Sequence, residues 1–306
     1  MPNNKRQHFV PKSYQQNFSR EGKTIGCVLI KNGLLKVVED APIKSQAYGD
    51  YFYSKDISLE QEISKVEGEA NIIIQKILSS EPITLESGEI QQMKEYVLFQ
   101  HIRTPHYANQ HEKDMNRAYQ QIGGSNDIQV IVPDKQLFIL RAFLPYIEET
   151  AEHFNLLIVD NQTDIPFITS PEPSIYVNPY QMQRGNDTFG LLTFGGMLFM
   201  PLSSKKALLL YDPKAYEPQN EQVVSCSLSS VSNLNARVLA YLDHTKAGCF
   251  YYDNRISDFW SVMDIMLHHI TDGFDFGFIK EREGIGNDEA NYPFSNSALF
   301  PPFDSK

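Results

Sequence analysis

The sequence predicts an α+β protein, with a helical N-terminal half packed on a mostly antiparallel sheet in a single compact domain. Three observations carry the prediction. Residues 58 to 154 repeat apolar side chains at helical spacing, residues 155 to 270 carry short apolar runs bounded by turn residues, and no internal repeat divides the chain. The helix-rich part spans 1–154, the sheet-rich part 155–270, and a tail rich in Phe, Gly and Pro, 271–306, is expected to be irregular and packed over the body. At 306 residues the chain can bury one large core or two modest ones.

The elements follow in order. Phe9, Tyr14 and Phe18 place apolar anchors on a polar opening segment that also carries His8, which predicts a short helix docked on the core. Ile25–Ile30 and Leu34–Val38 flank Asn32-Gly33, a hairpin signal, since both turn residues tolerate positive φ. Asp50 to Tyr53 is a short aromatic segment, either the wall of a pocket or core. Ser58 opens a helix with the capping pattern Ser58-x-x-Gln61 and the stripe Leu59, Ile63, Val66, Ala70, Ile73 and Ile77. Glu60 and Glu67 fall at the edge of that buried face, two turns apart.

Ser87 is expected to cap a helix in which Gln100 interrupts an apolar line, and Pro105 should kink it and leave the carbonyl of His101 open. His101, His106 and His111 recur every five residues, which on one helix turns each by ~140° from the last; they read as surface or packing groups. Gly123-Gly124 begins a loop, and Asp134 to Phe154 forms a third helix kinked at Pro145. Strands are expected at Leu156–Val159, Phe167–Thr169, Met197–Met200 with Ala207–Tyr211, and Cys249–Tyr252. Tyr180 to Leu191 reads as a surface loop; Ser229–Leu242 and Asp258–His269 read as helices.

Composition bounds the function. With 42% hydrophobic and 21% charged residues the chain is an ordinary globular one, and 16 Tyr and 19 Phe supply packing or a stacking surface. A net charge of −11 argues against broad binding to nucleic acid, so such a partner would need a local basic cleft. Cys27, Cys226 and Cys249, odd in number and far apart, match neither a disulfide framework nor a zinc pattern and read as buried thiols in a reducing compartment. The opening residues lack an apolar signal region and the run Leu191 to Leu202 is too short to span a bilayer, so no membrane and a cytoplasmic location are expected. The His-Glu-x-x-His, P-loop, Gly-x-Gly-x-x-Gly, Gly-x-Ser-x-Gly and Cys-x-x-Cys signatures are all missing.

His8-x-Val10-Pro11-x-x-Tyr14-x-x-x-Phe18 resembles the opening motif of DUF4238, a bacterial family named for its unknown function. Asp50-Tyr51-Phe52-Tyr53, a Glu-bearing helix with Glu67, Gln100-x-x-Arg103-Thr104-Pro105, Phe167-Ile168-Thr169-Ser170, Pro201-Leu202-Ser203 and Asn235 follow in the family's order. The family pattern runs Thr-Ser-Asp-x-Pro where this chain has Thr169-Ser170-Pro171-Glu172-Pro173, leaving Glu172 as a shifted replacement. The resemblance implies that His8, Glu67, Gln100, Arg103, Ser170 and Asn235 converge on one pocket, and that a bacterial anti-phage defence or toxin-type role is open to the chain.

Two functions compete for those residues. In a metal-assisted nuclease or phosphodiesterase, Glu67 and Glu172 would hold Mg²⁺ or Mn²⁺, His8 would activate water, Arg103 would clamp phosphate, and Lys12, Gln100, Ser170 and Asn235 would contact the substrate. In a non-catalytic ligand- or protein-binding module, the same groups would form a buried polar network. A water-open basic cleft around Arg103 and Lys12 favours the first, and a sealed Arg103 paired to Glu67 favours the second.

Overall fold

The computed structural model describes residues 5–31, 34–53, 55, 57–125, 127–178, 190–220, 222–240, 248–270 and 277–282. The chain runs β1 (Arg6–His8), α1 (Lys12–Gln16), β2 (Thr24–Lys31), β3 (Leu34–Pro42), β4 (Tyr48–Asp50), then the helices α2 (Ile57–Ser79), α3 (Ser87–Ile102), α4 (Pro105–Gln121), α5 (Lys135–Phe143) and α6 (Ile147–Glu152). There follow β5 (Asn155–Asp160), β6 (Ile175–Val177), β7 (Met197–Pro201), β8 (Lys206–Tyr211), β9 (Tyr216–Pro218), β10 (Val223–Ser225), α7 (Leu228–Ala240), β11 (Gly248–Tyr252), α8 (Phe259–His268) and β12 (Ile279–Glu281). The fold is α+β, as expected. No helix among the described residues is long and apolar enough to cross a membrane.

The central sheet has the order β10-β5-β8-β7-β6, antiparallel except where β10 lies parallel to β5. Its inner strands β7 and β8 are buried at every position. Successive side chains of a strand alternate faces, and here both faces meet core. Leu156, Ile158, Leu198, Met200, Leu208 and Leu210 point into a cluster with Ile77, Met93, Val97 and Leu140 of the N-terminal helices. Leu157, Val159, Met197, Phe199, Leu209 and Tyr211 point into a second cluster with Val231, Leu234, Val238 and Met266 of α7 and α8. That double burial explains why these strands read as unbroken apolar runs rather than as alternating ones. The expected picture of helices on one face is thus extended, with helices on both.

A second sheet, β11-β2-β3, separates the same clusters: Ile25, Cys27 and Tyr251 enter the first, and Val28, Ile30, Phe250 and Tyr252 the second. The expected hairpin strands are present, while the Asn32-Gly33 turn itself lies outside the described residues, as does most of the loop expected over Tyr180 to Leu191. Small pairs β1-β4 and β9-β12 complete the strands; the latter puts Ile279–Glu281 in a ladder where irregular tail was expected.

Three local expectations are corrected. The cap of α3 is Glu86 and not Ser87, in a reciprocal box where the Glu86 amide donates to Glu89 Oε2 at 2.8 Å. Phe167–Thr169 is no strand; Thr169 makes a single bridge to Tyr251. Pro105 does not kink one helix but ends α3 and starts α4. The residue before a proline is pushed out of the α region, and Thr104 accordingly sits at φ −91°, ψ 157°, as the cap of a helix with Pro105 in its first turn. The His101 carbonyl is not left open, since Thr104 Oγ1 donates to it at 3.4 Å. The kink at Pro145 is a 3-10 turn over Leu144–Tyr146 between α5 and α6.

Candidate functional site

The break between α3 and α4 turns Arg103 off the helix line at φ −86°, ψ 1°, and its side chain is wholly buried. A guanidinium sealed from water must have each buried donor matched or bear a large desolvation cost. The chain supplies partners from three distant segments. Nη1 donates to Glu67 Oε1 of α2 at 2.6 Å, Nε to the Tyr53 hydroxyl at 2.7 Å, and Nη2 to the backbone carbonyl of His8 at 2.8 Å. The guanidinium carbon also lies 4.8 Å from the Phe99 ring centroid and 5.4 Å from that of Tyr53. Tyr53 is held in turn by its amide, which donates to Gln7 Oε1 at 2.8 Å.

The sequence therefore brings His8, Glu67 and Arg103 together, but in different roles from those expected. His8 contributes its backbone carbonyl to Arg103, whereas its ring donates from Nδ1 to the Gln46 carbonyl at 3.0 Å. Burial, reinforced by the charge of Lys12, pushes the His8 imidazole down to about 4. Lys12 is exposed and close enough to act on His8 through its charge. Glu60 sits beside the network on the side of Glu67. Burial and then the Glu67 charge raise its carboxyl, and its Oε2 is enclosed with no protein partner.

The remaining candidates lie elsewhere. Asn235 braces the irregular segment between β5 and β6: its Oδ1 accepts from the Ile168 amide at 3.1 Å and its Nδ2 donates to the Pro166 carbonyl at 2.8 Å. Ser170 closes a local turn, donating to the Glu172 carbonyl and accepting from the Glu172 amide, both at 3.0 Å. Glu172 itself meets the start of α4, where its Oε1 accepts from the His106 amide at 3.3 Å. Burial pushes that carboxyl up to about 8, against the pull of Thr104 and His106. Gln100 is fully buried, and neither its Oε1 nor its Nε2 meets a protein partner, so it crosslinks nothing. His101 and His111 pack as expected, His101 against Tyr107 at 4.9 Å and His111 against Phe143 at 5.5 Å.

For the pair assigned to a metal, Glu67 faces a guanidinium and Glu172 a helix start. No group of three or more His, Cys, Asp or Glu able to hold a metal ion gathers among the described residues. The arrangement around Arg103 can fix backbone and exclude water.

Two contributors escaped the sequence reading. The Tyr53 hydroxyl stood in view only as wall or core, and the Tyr14 hydroxyl, which lies 2.7 Å from Thr169 Oγ1 and donates to the Pro201 carbonyl at 2.6 Å, stood only as an apolar anchor. A tyrosine inside an aromatic run carries no local signal of where its hydroxyl goes.

Tyr53 also belongs to a cleft of about 640 Å³ walled by Tyr51 and Phe52 on one side and Asp134, Gln136 and Leu137 of the α5 entrance on the other. Tyr51 (φ 49°) and Asp134 (φ 45°) both hold the left-handed backbone that non-glycine residues rarely adopt. Such conformations persist only where the surroundings impose them, and they collect at binding sites.

A family model described as "Protein of unknown function (DUF4238)" matches residues 6–241, so the chain belongs to that family. No curated protein and no solved structure matches the chain.

Proposed function

We propose that this member of the DUF4238 family is a binding module without chemistry of its own at Arg103, and that its ligand enters the cleft beside Tyr53. The observation that carries the reading is the state of Arg103, wholly buried with a carboxylate, a phenol and a carbonyl on three of its nitrogens. A phosphate clamp needs donors that a substrate can reach, and these are turned inward. The same contacts hold Tyr53 and the opening strand in place, and so pre-form one wall of the open cleft. The aromatic wall of Tyr51 and Phe52, with Asp50, Lys55, Asp134 and Gln136 around it, suits a small ligand with a flat apolar part and polar groups at its edge.

The metal-assisted nuclease has less support. It would require Glu67 to leave Arg103 and find further ligands, and the net charge of −11 gives no general attraction for nucleic acid. Purified protein is to be incubated with DNA, RNA and tRNA in Mg²⁺ or Mn²⁺. We expect no cleavage; cleavage that EDTA stops and Glu67→Ala abolishes would overturn the reading. In parallel, thermal shift against a panel of nucleotides, amino acids and short peptides should yield stabilisation that Tyr51→Ala or Gln136→Ala removes and Lys12→Ala leaves intact.

A further inference from the structure

Cys27 and Cys249, distant in sequence, are neighbours in space. In the antiparallel register of β11 on β2, Cys27 stands opposite Tyr251 and Cys249 opposite Leu29. Residues two apart on a strand share a face, so Cys27, Cys249 and Tyr251 lie together on the face of the first core cluster, with the two cysteines at diagonal positions of the ladder. Their environments differ. Cys27 is buried at 1% exposure, while Cys249 is partly open to solvent. The third thiol, Cys226, is buried on the other side of the sheet, in the second cluster.

We propose that Cys27 and Cys249 form a reversible dithiol–disulfide pair driven by hydroperoxides, with Cys249 as the attacking thiol and Cys27 as the resolving one. Of the two residues, Cys249 is the more exposed. Its thiol donates to the Tyr251 hydroxyl at 3.7 Å, and the Cys27 thiol and that hydroxyl beside it hold its ionisation below the usual thiol range, against the effect of burial. The Cys249 thiolate attacks one oxygen of the hydroperoxide; an S–O bond forms, the O–O bond breaks, and the departing alkoxide or hydroxide takes a proton to leave as alcohol or water. The Cys27 sulfur then attacks the sulfenic sulfur of Cys249. The S–S bond forms, the S–O bond breaks, and hydroxide leaves as water with the proton that Cys27 gives up. Two thiols supply the two electrons that reduce one hydroperoxide. Diagonal neighbours on an antiparallel pair lie roughly 7–8 Å apart at Cα, slightly beyond the usual disulfide span, so the bond draws the strands together and stays open to reduction by thiols.

The whole protein is to be treated with hydrogen peroxide and mapped by mass spectrometry of non-reduced peptides. We expect a Cys27–Cys249 crosslink that dithiothreitol reverses, with Cys226 still free. In the reduced protein, Cys249 should alkylate on the order of tenfold faster than Cys226. Cys249→Ser should abolish the crosslink, and Cys27→Ser, or Cys27→Ala should the serine unsettle the core, should leave a sulfenic acid on Cys249 that dimedone traps. Absence of the crosslink in folded protein, equal oxidation of Cys226, or alkylation of Cys249 no faster than Cys226 would each overturn the proposal.

Discussion

Two polar regions that the sequence places in one pocket are built differently. Around Arg103, a full charge joins α2, the opening strand and the Tyr53 segment through one side chain without exposure to water. Around Asn235 and Ser170, neutral groups satisfy the backbone of the irregular stretch from Pro166 to Glu172. The contrast separates linking from bracing. A buried cation must be matched by every element near it, and so it ties remote segments together. An amide or hydroxyl serves one stretch of chain and can be lost at the cost of that stretch alone.

Arg103→Ala is the severest way to break the first region, because Glu67, the Tyr53 hydroxyl and the His8 carbonyl would all lose their donor. We expect a loss of about 3–5 kcal/mol in denaturant unfolding. If the loss fell below that of Asn235→Ala, the contrast would collapse. The next test is pH. His101, buried with Nδ1 donating to the Ser174 carbonyl at 2.9 Å, is pushed down to about 4 by burial. The unfolded chain then binds more protons than the native one between about 6.5 and 4, so stability is full above that window and falls as pH drops through it, by about 3 kcal/mol at most. His8, half-buried and also pushed down to about 4, adds to the same slope. Glu172, pushed up to about 8, pulls the other way above about 4.5, so thermal melts should be read as a difference: His101→Gln should remove the share of the fall that His101 supplies and leave that of His8.

Smaller effects belong to the second region. Asn235→Ala orphans the Ile168 amide and the Pro166 carbonyl and should cost about 1–3 kcal/mol in the same unfolding assay, without weakening ligand stabilisation at the cleft. Ser170→Ala removes one local turn and should cost about 1 kcal/mol or less. A Ser170→Ala protein that kept its stability but lost ligand binding would return Ser170 to the site.

Much of the fold was legible. The stripe of α2, the pairing of β7 with β8 and the start of α8 at Asp258 each rest on spacing or on a single backbone preference. The helix-break expectation named the right residue and mistook the outcome, since the push of Pro105 on Thr104 was strong enough to start a new helix. The site was legible in membership and not in role. His8, Glu67 and Arg103 do meet, but an imidazole in a motif draws attention to its ring, while here the backbone carbonyl makes the contact. Glu172, Ser170 and Asn235 fell in the same motif order and yet serve separate stretches. Cys27 and Cys249 looked unrelated because strand pairing, which joins them, leaves no mark on either neighbourhood.

Sequence alone determined where the long helices and the inner strands β7 and β8 run, because apolar period, proline and caps act within a few residues of themselves. Only the tertiary structure decided that helices cover both faces of the central sheet, that Arg103 is closed off, and that two remote cysteines stand on paired strands. Those outcomes depend on which surfaces meet when segments far apart in the chain pack together, and a buried charge or thiol acquires its chemistry from whatever that packing sets beside it.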